Sequence, residues 1–281
     1  MSGTRTMKYF VVDAFTSRPF GGNPAAVMPL EAWLDDATLQ TIAAEMALSE
    51  TAFFVPETVD GVAGFRLRWM TPACEVDLCG HATLATAAVL MTQLEPARTS
   101  VRFHSKSGPL DVTRTTVADG QIFTLDFPAR VPERVDDAAL VAAAGRAVGA
   151  TPRELWRSRN LMVVVDDAAT VRALAPDFRA VNALPTEGVI VTAPADPAVD
   201  GPSVDFVSRY FTPQHGIDED PVTGSAHCTL TPYWATRLGK TTMSARQVSK
   251  RGGELAVEMA GDRVKLGGRA VLVARGDLLL P

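Results

Sequence analysis

Clusters of basic residues are missing from this 281-residue chain, and its formal net charge is −5. That disfavours nucleic acid as a partner, because phosphate backbones are held by grouped Lys and Arg. Cysteine is scarce. Cys74, Cys79 and Cys228 form an odd set without a disulfide framework, which fits reduced thiols and a cytoplasmic location. Long apolar runs are absent too. Leu161–Val165 is typical, far short of the roughly 20 residues a membrane-spanning helix needs. Residues Met1 to Lys8 carry no apolar stretch and no cleavage site, so no secretion signal is expected. There is no Gly-x-Gly-x-x-Gly and no Walker loop, which leaves nucleotide binding without support. Gly-x-Ser-x-Gly is lacking, which removes a nucleophile-elbow hydrolase.

What is present is a repeat. Arg68-Trp69-Met70-Thr71-Pro72 has a counterpart in Arg209-Tyr210-Phe211-Thr212-Pro213. An acidic stretch follows each copy, Glu75 to Asp77 and Asp218-Glu219-Asp220. Then come Gly80-His81-Ala82-Thr83-Leu84 and Gly224-Ser225-Ala226-His227-Cys228-Thr229-Leu230, the second copy carrying a three-residue insertion. A repeat at about half the chain length means two lobes of one design, whereas a solenoid repeats every ~20–50 residues. Two such lobes are expected to form a cleft for a small molecule.

The local patterns fit an α+β class. Strands are expected at Lys8–Asp13, Ala25–Met28, Thr51–Val55 and Gly64–Met70, where Phe65, Leu67 and Trp69 alternate with Arg66 and Arg68. A helix is expected over Asp35–Met46, with the two aspartates suiting its start. His81–Leu94 reads as a helix that is apolar almost all round and must be enclosed by protein. Ser225–Leu238 is its counterpart, with Pro232 removing one backbone donor. Closing strands are expected at Gln247–Ser249, Glu254–Met259, Arg263–Leu266 and Arg269–Ala274. The turn Ala118-Asp119-Gly120 marks the lobe boundary, giving lobes 1–118 and 119–268, with a final strand 269–281 that can rejoin the first. Each lobe is expected to be a mostly antiparallel, barrel-like sheet around a central helix.

The chemistry is expected where the enclosed helices begin. A helix start leaves up to four N–H groups unpaired and carries about half a positive charge. Gly80 and Gly224 permit close approach of a ligand, and a carboxylate is the natural guest. Glu50 follows Ala47-Leu48-Ser49 and precedes Thr51-Ala52-Phe53, and a carboxylate desolvated there becomes a useful general base. The alternative is an exposed acid at a corner between elements. His81 suits proton delivery or helix packing equally. Asp220 and Ser225 suit either substrate contact or completion of the second helix start. Cys79 is a candidate thiolate, while Cys74 and Cys228 read as packing residues. Cys74, Cys79 and His81 lack zinc spacing, and His215, Asp218, Asp220 and His227 would need a loop and a helix to converge, so no metal is expected.

Read together, these motifs resemble the PhzF-type family of phenazine-biosynthesis isomerases, within the diaminopimelate-epimerase-like fold. Asp13-Ala14-Phe15-Thr16 with Phe20-Gly21-Gly22-Asn23-Pro24-Ala25 resembles its opening motif. Leu48-Ser49-Glu50-Thr51-Ala52-Phe53 resembles its glutamate motif. Cys79 to Leu84 and Asp220 to His227 resemble its two helix entrances. The resemblance implies a cofactor-independent isomerase, homodimeric as family members often are, that moves a proton on a small carboxylate metabolite. It implies Glu50 as the acid/base, His81 and Asp220 beside it, and Asn23, Ser49, Gly80, Thr223, Gly224 and Ser225 at the substrate. Two rivals stay open: an epimerase or racemase using Cys79 and Asp220, and a non-catalytic protein for metabolite sensing or protein interaction.

Overall fold

The computed structural model describes residues 5–280. The leader reading of Met1 to Lys8 therefore rests partly on residues 1–4, outside those described. The chain divides into two compact units, Met1–Asp126 with Gly267–Pro281, and Phe127–Leu266. The first unit contains β1 (Arg5–Ala14), β2 (Asn23–Pro29), α1 (Asp36–Met46), β3 (Glu50–Val59) and β4 (Val62–Met70). It continues with β5 (Glu75–Val76), α2 (Gly80–Val89), β6 (Ser100–Ser105), β7 (Gly108–Val117) and β8 (Gly120–Pro128). The second unit contains β9 (Glu133–Arg134), α3 (Ala138–Val148), β10 (Glu154–Arg157), β11 (Leu161–Val164), α4 (Ala168–Ala173) and α5 (Phe178–Asn182). It continues with β12 (Val189–Pro194), α6 (Pro197–Asp200), β13 (Phe206–Thr212), β14 (Ile217–Glu219), α7 (Gly224–Leu238), β15 (Thr242–Gln247), β16 (Gly253–Ala260) and β17 (Arg263–Gly268). The last strand, β18 (Ala270–Leu280), returns to the first unit and pairs antiparallel with β1.

The two units use one strand plan. In the first, β1 runs antiparallel to β2, β2 parallel to β3, β3 antiparallel to β4, and β4 parallel to β6. In the second, β10 runs antiparallel to β11, β11 parallel to β12, β12 antiparallel to β13, and β13 parallel to β15. A parallel joint needs a crossover, usually a helix. α1 supplies the first crossover of one unit, and α4 with α5 that of the other. α2 and α7 supply the second crossovers. The outer helices bury one face each: Leu39, Ile42 and Ala43 of α1 pack with Met28, Phe53 and Met70, and Ala144, Ala147 and Val148 of α3 pack with Leu155, Val163 and Val191.

The central helices lack a polar face, as their composition requires. Every residue of α2 is buried, and so is almost all of α7 up to Trp234. Their buried threonines are tolerated because the hydroxyls are paired: Thr229 with the Ser158 hydroxyl at 2.8 Å, and others with the carbonyl four residues back. Thr83 reaches Cys79 at 2.6 Å, Thr86 reaches Ala82 at 2.7 Å, and Thr231 reaches His227 at 2.6 Å. Pro232 has no N–H for the Cys228 carbonyl, and the Arg130 N–H donates to that oxygen instead, at 2.9 Å. α2 gives way to a single π turn, Leu90–Leu94, where the sequence implies unbroken helix.

The repeated arginines have matched partners. Arg68 grips Glu75 through Nε and Nη2, both at 2.8 Å. Arg209 grips Glu219 the same way, at 2.7 and 2.9 Å. Each fork ties a long strand to the short strand after it, β4 to β5 and β13 to β14. The three extra residues fall between Pro213 and Glu219, in a segment that opens with the 3-10 turn Pro213–His215.

Three expectations need correction. Ala118-Asp119-Gly120 does not separate the units: it forms the tip of the β7–β8 hairpin, because the alternating residues on both sides pair with one another. The strand expected at Gln247–Ser249 lies earlier, at β15, where Met243, Ala245 and Gln247 point inward. Small side chains make that alternation faint. Cys74 is exposed rather than packed, in the turn where Thr71 Oγ1 accepts from the Cys74 N–H at 3.0 Å. Among the described residues no helix is long and apolar enough to cross a membrane.

Candidate active site

The two central helices start differently from the rest. α1, α3, α4, α5 and α6 are each preceded by an aspartate whose carboxylate accepts a first-turn N–H: Asp35, Asp137, Asp167, Asp177 and Asp196. Cys79 and Thr223 hold the same position before α2 and α7, and neither side chain makes a capping bond. These starts therefore keep their partial positive charge without a built-in counter-group.

In the first unit three remote segments meet at the α2 start. Asn23 opens β2, Glu50 opens β3, and His81 is the second residue of α2. The parallel pairing of β2 with β3 sets Ala25 beside Glu50, which brings the two strand starts together. His81 Nε2 lies 3.0 Å from Glu50 Oε2, an ion-pair distance, although that oxygen has no well-aligned hydrogen bond. On the other side of the ring, Nδ1 lies 3.1 Å from the Asn23 amide nitrogen and 3.5 Å from Cys79 Sγ. His81 and Cys79 are buried, and the Glu50 side chain is 13% exposed. Burial alone drives the imidazole toward neutrality, but Cys79 and Glu50 outweigh it and hold His81 well above its ordinary value. Burial, and then Glu50, push the Cys79 thiol up to about 11. Cys79 therefore keeps its proton at neutral pH.

The second unit builds its own cluster before α7. Asp220 is buried, and its Oδ2 accepts from the Thr223 hydroxyl at 2.5 Å. Gln247, at the end of β15, closes the loop. Its Oε1 accepts from Thr223 N at 2.8 Å, and its Nε2 donates to the Asp220 carbonyl at 2.7 Å and to Thr223 Oγ1 at 3.1 Å. Gly224 is the first residue of α7 and Ser225 the second. Ser225 thus lies past the cap position, which removes its role as a capping hydroxyl. His227 lies one turn in, fully buried, with Nδ1 donating to the Thr223 carbonyl at 2.8 Å.

The sequence-derived residues thus fall into two groups. Asn23, Glu50, Gly80 and His81 converge in the first unit, with Ser49 half-buried just before β3. Asp220, Thr223, Gly224 and Ser225 share the α7 start in the second. Sequence reasoning missed Gln247, which no local pattern connects to Thr223. Among the described residues, Glu50, Cys79 and His81 have metal-ligating atoms that all lie within 4.8 Å of one another. The set His215, Asp218, Asp220 and His227 is not drawn together in that way.

Two pseudo-equivalent α+β units, each wrapping strands about a buried helix with an uncapped start, define the diaminopimelate-epimerase-like class. A hydroxyproline epimerase from Agrobacterium vitis shares this fold with a TM-score of 0.61 at 11% identity, over 98% of this chain and 93% of that one. The sequence profile of the phenazine biosynthesis-like proteins matches residues 12–276, and the chain belongs to that family, the PhzF family. An uncharacterized isomerase of Pseudomonas aeruginosa is 50% identical over 273 residues, 96% of this chain and 98% of its own length. A crystal structure of a PhzF-family protein from Enterococcus faecalis superposes with a TM-score of 0.90 at 47% identity, covering 98% and 100% of the two chains.

Proposed function

We propose that this PhzF-family isomerase works without a cofactor, moving a proton between two carbons of a small unsaturated carboxylate. Glu50 takes the proton from a carbon acidified by adjacent unsaturation, and returns it elsewhere on the conjugated system. His81 holds the Glu50 carboxylate in place and supplies a positive neighbour to the charge that develops. Asn23 fixes the far side of the ring. The uncapped start of α2, with Gly80, holds an anionic oxygen, and Ser49 supplies a polar contact beside it. In its own unit the uncapped start of α7, with Gly224 and Ser225, offers a second place for an anionic group, with Asp220 and Thr223 as polar neighbours. One observation carries this reading: the Glu50–His81 pair at 3.0 Å, assembled from a strand start and an uncapped helix start.

Proton exchange tests it without knowledge of the substrate. A panel of small unsaturated carboxylates in D2O, followed by proton NMR, reveals which carbon exchanges. Glu50→Gln is expected to abolish deuterium uptake while leaving binding intact. Undiminished exchange would take Glu50 out of the chemistry. The position of Cys79 beside His81 favours one competing reading, an epimerase or racemase using Cys79 and Asp220. A thiol held near 11 is a poor base at neutral pH. Cys79→Ala is therefore expected to retain exchange, and its loss would favour the epimerase.

A further inference from the structure

The same group of side chains holds a chemistry that proton transfer does not use. Glu50, Cys79 and His81 offer a carboxylate, a thiol and an imidazole, with all donor atoms within 4.8 Å of one another. We infer that they form a three-donor site for a thiophilic divalent cation of the zinc type, with the imidazole bound through Nε2.

Three features support this. The first is spacing. His81 Nε2 lies 3.0 Å from Glu50 Oε2 and 4.0 Å from Cys79 Sγ. A tetrahedral zinc ion, with bonds of ~2.0 Å to N or O and ~2.3 Å to S, keeps N and O donors about 3.3 Å apart and N and S donors about 3.5 Å apart. The two measured separations straddle those values, so small rotations of side chains close the site. The second is the donor set. Three protein ligands with a fourth position left open to water is a known zinc arrangement, unlike the closed four-ligand structural sites, and the sulfur selects zinc over magnesium or calcium. The third is support around the ligands. Cys79 and His81 are buried on the rigid start of α2, and Glu50 Oε2 has no well-aligned hydrogen-bond donor. The Asn23 carboxamide faces Nδ1, and a half-turn of that group presents its oxygen to the Nδ1–H of a metal-bound imidazole. Sequence spacing hides the site, because Glu50 joins Cys79 and His81 from a different strand.

Binding breaks the Cys79 S–H bond, forms a metal–sulfur bond, and releases the proton, with any proton on His81 Nε2, to solvent. No redox change is involved. An occupied site engages the Glu50 carboxylate, so the ion acts as a reversible inhibitor. That consequence, unlike the binding, rests on the proton-transfer reading above.

The test uses the full-length protein carrying Cys74→Ser, which removes the exposed thiol. Cobalt(II) is titrated first, and zinc then competes with a chromophoric chelator. One equivalent is expected to bind, with the sulfur-to-cobalt charge-transfer band of a thiolate ligand. Adding Cys79→Ser should remove the band and weaken zinc by more than about tenfold. Glu50→Gln should weaken binding but keep the band. Absence of the band before Cys79 is altered, or affinity indifferent to Cys79→Ser, would overturn the site. Binding is read without turnover, so the two readings separate: zinc bound with undiminished isomerisation keeps the site and removes Glu50 from the reaction.

Discussion

His227 is buried as a neutral ring, and this makes it sensitive to acid. Burial pushes it down to about 4 from an ordinary 6.5. As pH falls below 6.5, the unfolded chain takes up a proton that the folded protein refuses until about pH 4. Stability is therefore lost across that window, by about 3 kcal/mol in total, and the loss is complete below the lower value. His227→Gln removes this proton. The urea midpoint of the unaltered protein should fall relative to that of the variant as pH drops from 6.5 to 4, and parallel profiles would refute the assignment. At this scale the sequence was partly legible. Glu50 and His81 stand in motifs that carry their identity. The burial of His227, and the contact between His81 and Asn23, depend on which strands lie side by side, and no local pattern records that.

At the level of elements, helix starts show both what could be read and what could not. Asp35 before α1 is a cap visible in the sequence. The absence of a cap at Cys79 and Thr223 gains meaning only beside the five aspartate-capped helices. The α7 start is instead braced by Gln247 from β15. Gln247→Leu would leave the Thr223 N–H and the Asp220 carbonyl buried without this partner. A loss of about 2–4 kcal/mol is expected, measured by chemical denaturation, with a weaker grip on any anion at the α7 start. A loss below about 0.5 kcal/mol would mean that water replaces the side chain. Short strands such as β5, β9 and β14 escaped sequence reading because pairing partners, rather than their own two or three residues, create them.

On the scale of the whole molecule, the repeat was the most legible feature. Arginine recurs at 68 and 209 because each copy must fork onto a glutamate across a strand pair. The insertion was visible as a count, but the 3-10 turn that leads into it was not. Arg68, with Lys106 also contributing, holds Glu75 down to about 2, and solvent screening limits the worth of the pair to about 1 kcal/mol. Arg68→Met and Arg209→Met should act locally. Amide exchange should quicken in β4 and β5 for the first, and in β13 and β14 for the second. Equal acceleration throughout the chain in either variant would contradict independent forks.

The return of β18 to β1 has a consequence for synthesis. The second unit is one uninterrupted stretch, Phe127–Leu266, whereas the first needs a strand made after it. On the ribosome, the portion translated earliest must wait with the β18-facing edge of β1 uncovered until the final segment emerges, while the portion translated in between can close at once. Birth order and completion order are inverted.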